Sequence, residues 1–90
     1  MKAVRFAGAF RKDLKRITKR GYDRSRLDSI VDVLRAGAAL HPSLRAHPLK
    51  GEWKGYWECH IAPDWLLIYK VTDEEVRLAR TGTHSDLFKL

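Results

Sequence analysis

The sequence of 90 residues has only one cysteine, Cys59, so an internal disulfide is excluded. This scarcity fits the reducing conditions of the cytoplasm. A long hydrophobic run is also missing, because the longest apolar stretch covers residues 65–69 and a membrane helix needs about 20 residues. Arg5 and Arg11 interrupt the apolar segment that a signal peptide would need. We therefore expect a cytoplasmic protein with no membrane partner.

Internal repeats and low-complexity segments are absent as well. Hydrophobic residues make up 44% and charged residues 32% of the chain, a balance that excludes a disordered chain. Ninety residues suffice for one hydrophobic core but not for two. The sequence therefore predicts a single domain over residues 1–90.

Acidic residues are scarce in the first half of the chain. Residues 1–45 contain twelve basic and four acidic side chains, whereas residues 46–90 contain six and seven. The net charge of +7 therefore resides in the first half. Such a regional field attracts a polyanion, which is either a nucleic acid or an acidic protein segment. Composition alone does not distinguish these two partners.

Hydrophobic spacing in the first half predicts a strand followed by two helices. Alternation over residues 2–6 is typical of a short strand. Phe10, Leu14 and Ile17 are spaced as on one face of a helix, which we expect to end at Gly21. A second helix follows, with its apolar stripe at Leu27, Ile30, Val31 and Leu34, Asp23 or Ser25 as its N-cap and Gly37 as its terminator.

The second half predicts three strands, at residues 56–61, 65–71 and 76–81. The short turns at Pro63-Asp64 and Asp73-Glu74 make neighbouring strands antiparallel. Because residues 65–71 are apolar on both faces, we place this strand in the centre of the sheet. The predicted fold is α+β, with the N-terminal strand and two helices packed on an antiparallel meander. Residues 38–55 have no clear period, and a loop of that length is more often functional than idle.

Candidate catalytic residues cluster near the predicted strand ends. His60 ends the first strand of the meander, Asp64 lies in the next turn, and His84 follows the last strand. His47 precedes a proline, which keeps its backbone extended. If the loop that carries His47 folds over these strand ends, the four side chains converge.

Histidine can both take and give a proton near neutral pH. RNA cleavage needs a base for the 2′-hydroxyl, an acid for the departing 5′-oxygen and cations for the phosphate, and it needs no metal. Arg80 is a candidate phosphate clamp because its planar fork binds two oxygens. Trp65 and Phe88 are candidates for stacking on unpaired bases.

Structural interpretations compete with each of these assignments. A single histidine at a strand end is more often structural than catalytic, and we give His41 no functional role. Tryptophans usually anchor the core, Phe88 could cap the sheet, and the basic helix could be only a solvated face. A zinc site from the histidines and Cys59 is disfavoured, because Cys59 and His60 are neighbours on a strand and point to opposite faces.

Residues 47–88, about half of the chain, carry a series of short motifs at fixed intervals. They are His47-Pro48-Leu49, Trp53-Lys54-Gly55-Tyr56, Pro63-Asp64-Trp65, Arg80-Thr81-Gly82-Thr83-His84 and Leu87-Phe88. This series resembles the YafQ branch of the RelE/ParE-type toxins, the toxin halves of type II toxin–antitoxin pairs. The resemblance implies a small RelE-like fold, related to that of microbial RNases. It also implies an mRNA endonuclease that acts in the ribosomal A site and is neutralised by a cognate antitoxin.

The functional residues of YafQ-like toxins fall here on His47, His60, Asp64 and His84, with aromatic positions at Trp65 and Phe88. Other RelE-type toxins use lysine and arginine instead, so the assignment of base and acid stays open. We favour His84 with His47 or Asp64 for proton transfer, and His60 with Arg80 for the phosphate.

The resemblance implies no cofactor. Its expected partners are an antitoxin with an acidic segment, the ribosome and translated mRNA. Two alternatives stay open, a non-catalytic RNA- or ribosome-binding module and a degenerate toxin that only binds its antitoxin.

Overall fold

The computed structural model describes residues 1–88 of the chain, and these residues form five strands and three α-helices. The strands are β1 (Ala3–Phe6), β2 (His47–Pro48), β3 (Trp57–Ala62), β4 (Trp65–Val71) and β5 (Glu75–Gly82). The helices are α1 (Gly8–Lys19), α2 (Arg24–Arg35) and α3 (His84–Phe88). The α+β class expected from the sequence is therefore confirmed. No helix of this part of the chain is long and apolar enough to cross a membrane.

All five strands belong to one sheet in the order β1-β5-β4-β3-β2. The meander β3-β4-β5 is antiparallel, as predicted, and β4 lies at the centre. Its central place agrees with full burial of Leu66, Leu67 and Ile68, which point alternately to both faces. β1 pairs with β5 in parallel, a placement that the sequence had left open.

Helices α1 and α2 pack on one face of the sheet and enclose the core. Phe10 and Ile17 of α1 and Leu27 of α2 are buried there with Leu67 and Leu78 of the sheet. Asp23 is the N-cap of α2 and accepts a hydrogen bond from the Ser25 amide at 3.0 Å, which decides between the two predicted caps. Gly21 and Gly37 follow the two helices with φ of +81° and +72°. This left-handed conformation is the reason why glycine ends both helices.

The aperiodic segment between α2 and β3 contains two short 3₁₀ turns, Pro42–Leu44 and Gly51–Trp53, with β2 between them. β2 pairs with β3, so that His47 is opposite Glu58 and Pro48 is opposite Trp57. This two-residue strand attaches the loop to the edge of the sheet. The loop therefore brings His47 to the strand that carries His60.

An irregularity in the pairing of β4 and β5 changes which face Arg80 occupies. Ile68 is opposite Arg80 and Tyr69 is opposite Leu78, so Ala79 is an extra residue in β5. Such a bulge redirects the side chains that follow it. Leu78 faces the helices, whereas Arg80 shares the other face with Ile68. Strict alternation from Leu78 would have placed Arg80 under the helices.

Candidate active site

The three histidines that the sequence predicts to be catalytic lie close together at the sheet face opposite α1 and α2. His47, Glu58 and His60 share this face, because His47 is opposite Glu58 and because Glu58 and His60 are two residues apart on β3. The ring centres of His47 and His60 are 6.0 Å apart, and those of His60 and His84 are 6.2 Å apart. The structure thus brings the predicted histidines into one row, with His60 in the middle.

His84 is held by Asp64, which lies in the turn between β3 and β4. The Asp64 Oδ1 atom is 2.6 Å from Nδ1 of His84 and accepts the His84 backbone N–H at 3.0 Å. The hydrogen bond from the backbone, followed by the one from the ring, lowers the pKa of Asp64 below its usual value. An ionised carboxylate only accepts hydrogen bonds, so Nδ1 carries the proton. The Nε2 atom of His84 is then the atom that can exchange a proton with a substrate.

His47 is held in the same manner by Glu58, whose carboxylate Oε2 is 2.9 Å from its Nε2. The other ring nitrogen, Nδ1, makes only a long contact of 3.4 Å with the Pro48 carbonyl oxygen and is therefore the ring atom left to exchange a proton. Glu58 is 8% exposed at its side chain and was not singled out from the sequence. The sequence did offer one indication of its role. Glu58 is two residues before His60 on the same predicted strand, so the two side chains are expected on the same face. Glu58 and Asp64 thus each orient one histidine.

Two buried polar atoms on this face have no hydrogen-bond partner among residues 1–88. They are Oε1 of Glu58 and Nδ1 of His60. Nearly all buried polar atoms in proteins are paired, and exceptions need a specific explanation. Here both atoms lie on the face where the histidines converge, which is the arrangement expected of a substrate-binding site.

Arg80 also belongs to this face but is already engaged. Its Nε is 2.6 Å from Oδ2 of Asp13 and its Nη2 is 3.1 Å from Oδ1. Asp13 lies on α1, is fully buried, and also accepts the Thr81 backbone N–H at 3.2 Å. The hydrogen bond to Asp13 raises the pKa of Arg80 further above its ordinary value. Arg80 is therefore a fixed cation on the face of the sheet that carries the histidines, with part of its charge offset by Asp13.

The two aromatic residues predicted to stack on bases have different environments. Trp65 is only 4% exposed, and its indole N–H donates to Thr81 Oγ1 at 2.9 Å. Its ring meets Tyr22 edge to face at 5.0 Å. Its ring lies in the core beneath the helices, which favours the structural interpretation of Trp65 as a core anchor over stacking on bases. Phe88 on α3 is 37% exposed, so its stacking role stays a prediction.

Two other side chains considered from the sequence lie outside the row of histidines. His41 accepts the Ser43 amide at 3.1 Å and begins a 3₁₀ turn, which is a structural role. Cys59 faces the core, and burial raises the pKa of its thiol to about 12. Its position on the face opposite His60 removes the thiol ligand of the zinc alternative. Over residues 1–88, no three His, Cys, Asp or Glu side chains are grouped to hold a metal ion.

Comparison with known proteins gives a consistent result. Residues 2–89 match a family described as the bacterial toxin of the type II toxin–antitoxin system, YafQ. The chain is 42% identical over 86 residues to the mRNA interferase toxin YafQ of Escherichia coli K12, and the match covers 94% of each chain.

Solved structures of related toxins have the same fold as this chain. The E. coli DinJ–YafQ toxin–antitoxin complex matches with a TM-score of 0.89 and 41% identity, over 97% of each chain. A copper-bound L66S mutant toxin from Helicobacter pylori matches with a TM-score of 0.93 and 41% identity, over 98% of this chain and 100% of that one. In this chain, the side chains of residues 1–88 do not form a group suited to a metal.

Proposed function

This chain belongs to the YafQ family of bacterial toxins of type II toxin–antitoxin systems, and on that premise we propose that it is an mRNA interferase. It would be an endoribonuclease that cleaves translated mRNA in the ribosomal A site. The observation that supports this most directly is the 2.6 Å pair of His84 and Asp64 next to His60. A histidine oriented by a carboxylate is the arrangement that proton transfer requires.

We propose that His84 and His47 transfer the two protons. One ring takes the proton of the 2′-hydroxyl, whose oxygen attacks the adjacent phosphorus, and the other gives a proton to the departing 5′-oxygen. The products are a 2′,3′-cyclic phosphate and a 5′-hydroxyl. Asp64 is unsuited to give a proton near neutral pH, because its lowered pKa keeps it ionised. Asp64 and Glu58 instead orient His84 and His47 and stabilise each ring when it is protonated.

The phosphate would be bound by His60 and Arg80. His60 lies between the two proton-transfer residues, and its Nδ1 has no hydrogen-bond partner within the described residues. Arg80 lies directly across the sheet from Glu58, since both residues are opposite Ile68 on its two sides. Phe88 is the proposed stacking residue. These groups supply acid, base and cation by themselves, so we propose catalysis that needs neither a metal nor a cofactor.

The proposed partners follow from the charge of the chain and from its relatives. The E. coli relative is solved in complex with DinJ, an antitoxin. We propose a cognate antitoxin with an acidic segment here, together with the ribosome and its mRNA, in the cytoplasm. Exposed lysine and arginine side chains of α1 supply the surface for these polyanions, namely Arg11, Lys12, Lys15 and Arg16.

The test maps new 5′ ends on an mRNA incubated with the protein, with and without ribosomes paused on it. We expect cuts only with ribosomes, in codon register, unchanged by EDTA and absent with His84→Ala. Cuts on naked mRNA would contradict ribosome dependence, and loss of cuts in EDTA would contradict metal independence. If the folded protein binds ribosomes but never cuts, it is a non-catalytic binding module.

The roles of acid and base can be separated with a sulfur atom in place of the bridging 5′-oxygen. A thiolate leaves without protonation, so this substrate restores cleavage to a variant that lacks only the general acid. We expect restoration for one of His84→Ala and His47→Ala but not for the other. Restoration of neither variant would contradict this pair, because one of the two residues must then protonate the leaving oxygen.

A further inference from the structure

Helix α3 begins with a reciprocal pair of hydrogen bonds between Thr83 and Asp86. The Thr83 amide donates to Oδ2 of Asp86 at 3.0 Å, and the Asp86 amide donates to the Thr83 hydroxyl at 3.1 Å. This is a capping box, which satisfies two backbone donors at the start of a helix. His84 is the first residue of the helix and lies between the two members of the box.

Asp86 is joined at the same time to Arg20, the C-cap residue of α1. The Arg20 guanidinium donates two hydrogen bonds to it, at 2.6 Å to Oδ2 and 3.0 Å to Oδ1. Arg16 adds a second cation at 3.8 Å. Only 13% of the Asp86 side chain is exposed, and the Arg20 guanidinium holds the pKa of this carboxyl well below its usual range. Asp86 is thus a largely buried carboxylate that forms a bidentate pair with Arg20.

The backbone at the end of β5 leaves room for this carboxylate. Gly82 has a φ of +151°, a backbone conformation that residues with a side chain rarely adopt. A Cβ atom at this position would lie 2.8 Å from Oδ2 and 3.0 Å from Cβ of Asp86. Glycine therefore permits the close contact between β5 and Asp86.

A helix of five residues has little stability of its own, so its position depends on what holds it. Asp64 binds His84 directly, and Arg20 binds the same first turn of α3 through Asp86. We propose that Arg20 is a positioning residue that acts through Asp86 to keep His84 over the row of histidines. This proposal rests on the proposed function, because it assumes that His84 transfers a proton.

The test compares Arg20→Gln with Lys19→Gln, which removes the same charge from the neighbouring exposed residue of α1. Both variants lower the net charge of the protein by one, so we expect the same electrostatic effect on KM. Only Arg20→Gln should lower kcat, by roughly 10- to 100-fold, because displacement of a catalytic group by about 1 Å can cost that much. Arg20→Lys should restore part of kcat. Asp86→Asn combined with Arg20→Gln should lower kcat no further than the more severe of the two single changes.

A second readout does not depend on cleavage. The backbone N–H of His84, which donates to Asp64, should exchange with solvent several times faster in Arg20→Gln than in Lys19→Gln. If the parent protein fails to cleave, the proposed function fails, and this exchange rate alone decides the role of Arg20. If the parent cleaves and both variants match in kcat and in exchange, Arg20 does not position His84. Should Arg20→Gln not fold, the same comparison with Arg20→Lys decides the question.

Discussion

Neighbouring residues of β3 face opposite sides of the sheet, and their environments determine what each can do. Cys59 is surrounded by core residues, whereas His60 lies between two other imidazoles. Glu58 adds a carboxylate on the side of His60. Because successive side chains of a strand point to opposite faces, the thiol of Cys59 lies in the core while Glu58 and His60 lie together on the other face.

The thiol of Cys59 is expected to be inert in the folded protein. Burial raises its pKa to about 12, and the thiolate is the reactive species. Iodoacetamide at pH 8 should therefore leave the folded chain unmodified and alkylate it in concentrated urea, as measured by mass spectrometry. Stoichiometric labelling of the folded chain at the rate of a free thiol would show that Cys59 is accessible.

Truncation of Leu67 and of His84 should have opposite consequences. Leu67 is fully buried in the central strand, so Leu67→Ala should cost about 2–5 kcal/mol of stability and lower Tm by roughly 10 °C or more. His84→Ala should abolish cleavage with a Tm close to that of the parent. Thermal melts followed by circular dichroism make the comparison. A larger loss of Tm for His84→Ala would identify His84 as a structural residue.

Among the elements, α1 joins the core to the site. β1 pairs with residues 75–78 of β5 only, and beyond them the buried carboxylate of Asp13 accepts the Thr81 N–H. Asp13 also binds Arg80, which the bulge at Ala79 turns toward the histidine face. One side chain of α1 thus completes the edge of β5 and fixes the orientation of a candidate phosphate ligand.

Removal of this carboxylate should be costly. Asp13→Ala leaves the Thr81 amide and the Arg80 guanidinium without their buried acceptor, which should cost roughly 2–5 kcal/mol. Asp32→Ala, at an exposed position of α2, is the matched control and should change stability little. Urea unfolding of both variants measures the difference. Equal midpoints for the two variants would show that Asp13 adds nothing to the stability of the fold.

For the whole molecule, the response of stability to acid includes a contribution from four carboxyl groups within residues 1–88 whose pKa values are lowered. Hydrogen bonds from Ser25, His84, Arg77 and Arg20 lower the pKa of Asp23, Asp64, Glu75 and Asp86 respectively. Each group binds protons more weakly in the folded state than in the unfolded state. Their stabilising effect is therefore complete above the unfolded pKa of about 4 and is lost as the pH falls through the folded value.

Asp86 offers the clearest check on this acid response. The free energy of unfolding of Asp86→Asn should lie below that of the parent at pH 7, and the gap should narrow as the pH falls below about 4. Urea unfolding at pH 7, 4 and 3 measures the gap. A gap that widens on acidification would have the wrong sign for a carboxylate that is held ionised in the folded state.

Local patterns in the sequence were enough for most elements of this fold. Helical spacing predicted α1 and α2, and the turns at Pro63-Asp64 and Asp73-Glu74 predicted the antiparallel meander. Such features depend on residues a few positions apart, so they can be read directly from the chain. In the same way, the apolar residues on both faces of β4 predicted its central position in the sheet. The motifs of residues 47–88 indicated the family, and the match to residues 2–89 confirmed it.

The tertiary structure alone decided how distant residues meet. The parallel pairing of β1 with β5, the bulge that turns Arg80, and the burial of Trp65 depend on register between distant strands. The pairs of Glu58 with His47 and of Arg20 with Asp86 join residues 11 and 66 positions apart. No local period encodes such contacts, because they form only when the sheet, its edge loop and α1 have taken their places.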